Sequence, residues 1–284
     1  MSRESCKIGV VAPASRLSPE VAARVPALAK RLYPDRTPEI VFHPQCFESH
    51  GHFAGDDETR ARAFLDVAND ESFDAVWVAR GGYGSCRVAE TIMSGLKQPS
   101  WGKTYMGYSD AGMLLAALYR MGFRGVAHGP VAQDVLRDGG DATIARALAW
   151  IIDRAPEALE PTVDGSKMTA AFNITVLSQL LGTPLEPVLD GHVLMLEEVS
   201  EAKYRIDRSL FHITSNASIR RVSGIMLGRC SNITPNEPEF GMNEEEIARY
   251  WCRRAGIPWL GRADIGHDVD NKIVPFGHSH ERGS

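Results

Sequence analysis

The run Gly107-Tyr108-Ser109-Asp110-Ala111 stands where a short apolar segment, TYMGY, gives way to a helix-patterned one, DAGMLLAALYRMG. A serine between small residues at such a junction suits a nucleophile elbow, in which a sharp turn lifts the hydroxyl above a sheet without side-chain clashes. A helix beginning at Asp110 would aim backbone N–H groups and its positive dipole end at the same point, where a developing oxyanion needs them. The competing reading is a plain cap, with Ser109 or Asp110 satisfying the first N–H groups of a helix.

A second run, Arg80-Gly81-Gly82-Tyr83-Gly84, directly follows the apolar segment FDAVWVA. Consecutive glycines after a strand allow unusual backbone angles and close approach to a ligand. Three readings compete: a phosphate cradle, a loop that lends an N–H to an oxyanion hole beside Ser109, and an ordinary tight turn. The dinucleotide pattern G-x-G-x-x-G fails because Arg87 stands at its last glycine, and no G-x-x-x-x-G-K-[ST] occurs in the chain. Arg80 offers a bidentate fork for the substrate's terminal carboxylate, with a structural ion pair as the alternative.

A serine nucleophile needs a base, and the base needs an orienting carboxylate. Of nine histidines, His267 sits in a polar loop, Gly266-His267-Asp268, ahead of the apolar run IVPFG. His128, in AHGP at a predicted strand end, is its rival. Glu197 and Glu198 close the apolar strand VLML. Strand alternation sends their side chains to opposite faces, one into a site and the other into solvent. His50 and His52 lack a third donor at metal-binding spacing, and the five cysteines are scattered without a C-x-x-C pair. No metal and no cofactor are expected.

Short apolar runs and amphipathic helical runs alternate through the first 135 residues, which predicts a parallel sheet covered on both faces. The fold class is α/β. A flavodoxin-like N-terminal domain spans 1–155, a Pro/Gly/Asp-containing linker 156–170, and a smaller mixed α/β domain 171–284. Net charge is −5 with no basic face, which argues against nucleic-acid partners. No apolar run approaches the ~20 residues of a membrane span, and the N-terminal apolar stretch is too short for a signal peptide. A cytoplasmic location is the expectation.

These features together resemble the serine LD-carboxypeptidases, a family that removes D-alanine from muropeptide tetrapeptides in peptidoglycan recycling and that includes the microcin C self-immunity peptidases. The resemblance rests on Ala12-Pro13, the run Phe53-Ala54-Gly55-Asp56-Asp57-Glu58-Thr59-Arg60, the Arg80–Gly84 loop and Gly107–Asp110. It continues through His128-Gly129-Pro130, Leu181-Gly182-Thr183-Pro184, Leu196-Glu197-Glu198-Val199, Tyr204-Arg205-Ile206-Asp207-Arg208, and Gly266-His267 with Asn271 and Pro275-Phe276-Gly277. It implies Ser109 as nucleophile, Glu197 as triad acid and His267 as general base, in an active site between the two domains. It also implies an oxyanion hole from the backbone N–H groups of Asp110 and Gly82. Arg80, Gly81 and Tyr83 are the expected substrate-binding residues, a short peptide is the partner, and a homodimer is implied. Two departures stand out: Ala171-Phe172-Asn173 replaces the family's Gly-Gly-Asn, and Glu198 replaces its Asp. The alternatives are a peptidase detoxifying microcin C-like aminoacyl-nucleotides and, in another class, a non-catalytic nucleotide-binding module.

Overall fold

Short, nearly uninterrupted apolar runs make the strands of the first sheet, because helices cover both of its faces and leave no solvated side. In the computed structural model, which describes residues 6–278, these strands are β1 (Lys7–Val11), β2 (Glu39–Phe42), β3 (Ala75–Val78), β4 (Thr104–Gly107) and β5 (Val126–His128). They pair in parallel in the order β2-β1-β3-β4-β5, the flavodoxin-like order expected from the sequence. Every residue of β3 and β4 is buried.

Helices α1 (Pro19–Leu32) and α5 (Gly140–Asp153) pack on one face against Val10, Trp77 and Met106. On the other face α2 (Asp57–Asn69), α3 (Ser85–Gly95) and α4 (Gly112–Arg120) pack against Val76, Tyr105 and Val126. Asp56 caps α2, its carboxylate accepting the Thr59 N–H at 2.8 Å.

A second parallel sheet follows, in the order β6 (Thr169–Asn173), β7 (Val193–Val199), β8 (Gly224–Ser231), β9 (Trp259–Arg262). Its crossovers are α6 (Ile174–Leu180), α7 (Lys203–Ser215) and α8 (Glu244–Ala255). The expected linker is less free than its Pro, Gly and Asp content suggests. Glu160 within it is buried and accepts the Thr162 N–H at 2.8 Å and the Asp264 N–H at 3.1 Å. β6 starts at Thr169, two residues before the 171 boundary drawn from composition.

The last described strand, β10 (Val274–Pro275), leaves the second sheet and pairs antiparallel with β5 of the first. Paired Thr169–Gly277 backbone hydrogen bonds then tie β6 to the residues just after β10. No helix among the described residues is long and apolar enough to cross a membrane. His280 lies outside the described residues.

Candidate active site

Ser109 sits at the carboxyl end of β4 with φ +61°, a left-handed conformation that costs a non-glycine residue roughly 1–3 kcal/mol and persists only where its surroundings impose it. The neighbours impose it here. A Cβ added at Gly107 would lie 2.9 Å from both the Ala111 and Val78 Cβ atoms, so only small residues let the chain turn this sharply. Ser109–Ala111 form a tight 3-10 turn and α4 begins at Gly112, two residues later than the sequence pattern suggests.

The Arg80–Gly84 loop follows β3 and abuts this turn. A Cβ at Gly81 would come within 3.1 Å of the Ser109 Oγ, and one at Gly82 within 2.3 Å of the Ser15 Oγ. Gly82 and Gly84 hold φ +124° and +136°, which L side chains rarely adopt. Beneath the loop lies Arg60, wholly buried, which donates to the carbonyls of Pro13 and Gly84 and pairs with Asp57. The Asp110 carboxylate accepts the N–H groups of Gly84 at 3.3 Å and Ser85 at 2.9 Å. It thereby fills the N-terminus of α3, where a cradled phosphate would have to sit.

His267, in the loop between β9 and β10, lies with Nδ1 2.5 Å from Glu197 Oε2. Glu197 lies near the carboxyl end of β7, in register with Asn173 of β6, and its side chain is completely buried. The carboxylate contact assigns the ring proton to Nδ1 and leaves Nε2 to accept one. Burial pushes the imidazole pKa down, but the charge and hydrogen bond of Glu197 outweigh it and the net direction is up. The Tyr108 ring packs on the imidazole with centroids 4.8 Å apart. Asn271 Oδ1 accepts the Gly266 N–H at 3.1 Å and so braces the histidine loop.

Glu198 departs from expectation. It is not a solvated charge. It is buried, accepting from Asn173 Nδ2 at 2.6 Å, Thr175 N at 2.9 Å, Thr175 Oγ1 at 2.8 Å and its neighbour Val199 N at 2.8 Å. Alternation along β7 holds, with Leu194 and Leu196 in one core cluster and Val193 and Met195 in another, and it sends Glu198 toward the start of α6 and Glu197 toward His267. Both faces of this strand are covered, so neither acid meets solvent, and the extra residue at the register shift lies on β8, where Leu227 to Cys230 oppose Leu196 to Glu198. His128, the rival base, is buried with Nε2 3.1 Å from Asn271 Oδ1, and burial lowers its pKa. It does not line the cavity beside Ser109.

That cavity, of about 350 Å³, is lined by Arg80, Gly81, Gly82, Tyr108, Ser109, Gln133, Arg137 and His267 among others. Arg80 is exposed, donates to the Arg16 carbonyl at 3.2 Å and pairs with no carboxylate among the described residues. Tyr83 is not part of the lining. It is half-exposed, its ring 6.1 Å from His52 and 6.2 Å from Phe53. His50 and His52 gather no further donors: no group of three or more His, Cys, Asp and Glu is arranged for a metal ion among the described residues.

One part of the lining escaped the sequence reading. After β5, Asp134 accepts from Val131 N at 3.0 Å, Tyr108 OH at 3.2 Å and Arg137 Nε at 2.8 Å. Arg137 Nη2 lies 3.3 Å from the Tyr108 hydroxyl, and Nη1 makes no hydrogen bond among the described residues. The only signal for this network was its position after AHGP, at the carboxyl edge of a parallel sheet.

Comparison with known proteins points to one family. Residues 8–129 match the family model of the LD-carboxypeptidase N-terminal domain, and 169–281 that of the LD-carboxypeptidase C-terminal domain. The chain is 30% identical over 251 residues to a protein of Synechocystis sp. provisionally named a carboxypeptidase, covering 86% of this chain and 81% of that one. It is 26% identical over 246 residues to the murein tetrapeptide carboxypeptidase of Pseudomonas aeruginosa, covering 80% and 78%. Among solved structures, muramoyltetrapeptide carboxypeptidase from Oxalobacter formigenes superposes with TM-score 0.77 at 24% identity, covering 95% and 93%. The microcin C7 self-immunity protein MccF bound to aspartyl sulfamoyl adenosine superposes with TM-score 0.75 at 16% identity, covering 96% and 91%. At those identities the two structures establish the shared fold. The two domain matches and the relative at 30% identity place this chain in the LD-carboxypeptidase family, as a peptidase of the hydrolase class.

Proposed function

We propose that the protein is a serine carboxypeptidase that removes the C-terminal D-alanine from murein tetrapeptides in peptidoglycan recycling. One observation carries the reading: the buried His267–Glu197 pair opens onto the same cavity as the strained Ser109. In this reading the Ser109 Oγ attacks the scissile carbonyl while its proton passes to His267 Nε2. The tetrahedral oxyanion is met by the backbone N–H groups of Gly82 and Asp110. Collapse breaks the C–N bond, and His267 returns the proton to the leaving D-alanine amine. Water then attacks the acyl-enzyme by the same route and frees the shortened peptide. Glu197 fixes the ring and stabilises the cation formed in each half.

The leaving residue must lie against His267, which protonates it. Arg137, on that side of the cavity, is therefore the group proposed to meet its carboxylate. Its fork is already oriented by Asp134 and Tyr108. Arg80, on the other side of Ser109, is proposed to contact the rest of the peptide. A cytoplasmic location and a homodimer accompany the reading through the family resemblance, and sedimentation of the purified protein tests the second.

The decisive assay incubates the pure protein with a tetrapeptide ending in D-alanine and follows the tripeptide and free D-alanine by mass. No release overturns the reading. An aminoacyl sulfamoyl adenosine assayed beside it tests the microcin-type alternative, which has only a shared fold behind it. The nucleotide-module alternative is disfavoured because the Asp110 carboxylate would repel a phosphate at α3.

A further inference from the structure

A second cavity, of about 360 Å³, adjoins the first across Arg80 and is lined by Arg16, Leu17, Ser18, Pro19, Phe47 and Arg80. We infer that it is a subsite for an anionic group on the acyl side of the substrate, held by Arg16 and Arg80. The inference rests on the carboxypeptidase reading above for its direction, and on the cavity's own composition for its charge.

The direction follows from strand order. Ser109 ends β4. The neighbour on one side, β5, leads to Asp134 and Arg137. The neighbours on the other side are β3, which leads to Arg80, and then β1, which leads to Arg16. His267 packs on Tyr108 and shares its cavity with Arg137, and the leaving amine must take its proton from that imidazole. The part of the peptide that stays on Ser109 therefore runs the opposite way, over the Gly81–Gly82 turn toward β1. Two links join the cavities: Arg80 lines both, and Gln133 of the first accepts the Ser18 N–H of the second at 3.4 Å.

The charge follows from what is missing around the two arginines. No Asp or Glu lines the second cavity. The Arg16 side chain makes no hydrogen bond or ion pair among the described residues, and Arg80 reaches only the Arg16 carbonyl at 3.2 Å. Two guanidinium groups on one concave wall repel each other unless an anion lies between them. Their planar forks match a carboxylate bidentately. Leu17 and Phe47 supply an apolar floor, fixed by the Leu17 N–H on the Cys46 carbonyl at 2.7 Å. The chemistry is that of a carboxylate on a short aliphatic stem.

The test uses a tetrapeptide ending in D-alanine with its acyl-side carboxylates free, and the same peptide with them amidated. Wild type is expected to show at least a tenfold higher kcat/KM on the free form. Arg16→Gln is expected to raise KM for that form about tenfold, leave kcat unchanged and leave the amidated peptide unaffected. Arg16→Lys should recover part of the loss. Equal rates on both peptides by wild type, or an equal loss on both in Arg16→Gln, overturn the subsite while leaving the carboxypeptidase reading intact. If neither peptide is cleaved, that reading fails, and calorimetry with the same pair decides the subsite. Tighter binding of the free form that disappears in Arg16→Gln sustains it, and indifference overturns it.

Discussion

His267 Nδ1 lies 2.5 Å from Glu197 Oε2, and the two residues come from opposite ends of the second half of the chain, 70 positions apart. Nothing else among the described residues bonds to Glu197, whose Oε1 is buried without a partner. Its carboxylate therefore serves the imidazole. Glu197→Gln should keep the shape and lose the charge, with a fall in kcat of a hundredfold or more, by analogy with other triads. A variant with kcat within threefold of wild type would remove Glu197 from the mechanism.

The neighbouring acid is expected to behave differently. Glu198 accepts four hydrogen bonds, two of them from backbone N–H groups, and an amide in its place would turn an N–H donor toward at least one donor. Glu198→Gln should lower folding stability by about 1–3 kcal/mol. Activity should fall less than in Glu197→Gln when both are assayed below their melting temperatures. Thermal denaturation and kinetics on the same preparations separate the two effects. An unchanged melting temperature for Glu198→Gln would contradict the buried position.

A pH profile follows from the direction of the His267 shift. The general base must be neutral to accept the Ser109 proton, so kcat/KM should rise with pH as His267 deprotonates. Despite burial, Glu197 holds its pKa above the ordinary 6.5. The acid limb should therefore lie above that value in wild type and move to lower pH in Glu197→Gln. Sign matters for stability as well. A raised histidine pKa adds stability that is fully present below the unfolded-state value and is lost as pH rises through the folded one. An acid limb at or below 6.5 would mean that another group controls the rate.

Ser109→Ala should abolish turnover and leave the fold in place, because its side chain lines the cavity and its turn is set by backbone neighbours. A residual rate over water of 10³–10⁴ from binding and the oxyanion hole is the most that comparable enzymes retain. Mass detection of the acyl-enzyme in wild type, and its absence in the variant, gives a second check. Activity above one per cent of wild type would displace Ser109 as nucleophile.

Arg60 touches no substrate-facing surface, yet it bonds the Gly84 carbonyl of the glycine loop and the Pro13 carbonyl of the segment after β1. It is a positioning residue. Arg60→Lys keeps the charge, but a single ammonium cannot span two carbonyls and Asp57 as a planar fork does. A drop in kcat of tenfold or more with KM nearly constant is expected, since a small misplacement of an oxyanion donor costs transition-state binding first. A variant with wild-type kcat would reduce Arg60 to a packing role.

Much of the site could be read from sequence because it lies where sequence signals are strongest. Ser109 and the Gly81–Gly84 loop each follow a buried strand of a parallel sheet, and short apolar runs mark those strands plainly. What escaped depended on partners distant in sequence. Asp134 and Arg137 matter through Tyr108, 26 and 29 positions earlier. Glu198 was misplaced because alternation was taken to put one acid in solvent, whereas both faces of β7 are covered and the second face holds Asn173 and Thr175 for it. β6 was hidden by its two alanines and terminal asparagine, which carry little strand character until Leu194 and Leu196 pack beside them. β10 is two residues long and is a strand only by virtue of β5.

The docking of β10 against β5 also sets an order of events during synthesis. A ribosome releases β1 through β5 long before Val274 emerges, so the nascent first sheet carries an unpaired edge at β5. That edge is a template for pairing with other chains until the late strand covers it. His267 travels on the segment that brings the cover. Under the proposed mechanism the nascent chain therefore holds Ser109 without His267, and the same docking step that seals the sheet against aggregation is the one that would complete the site.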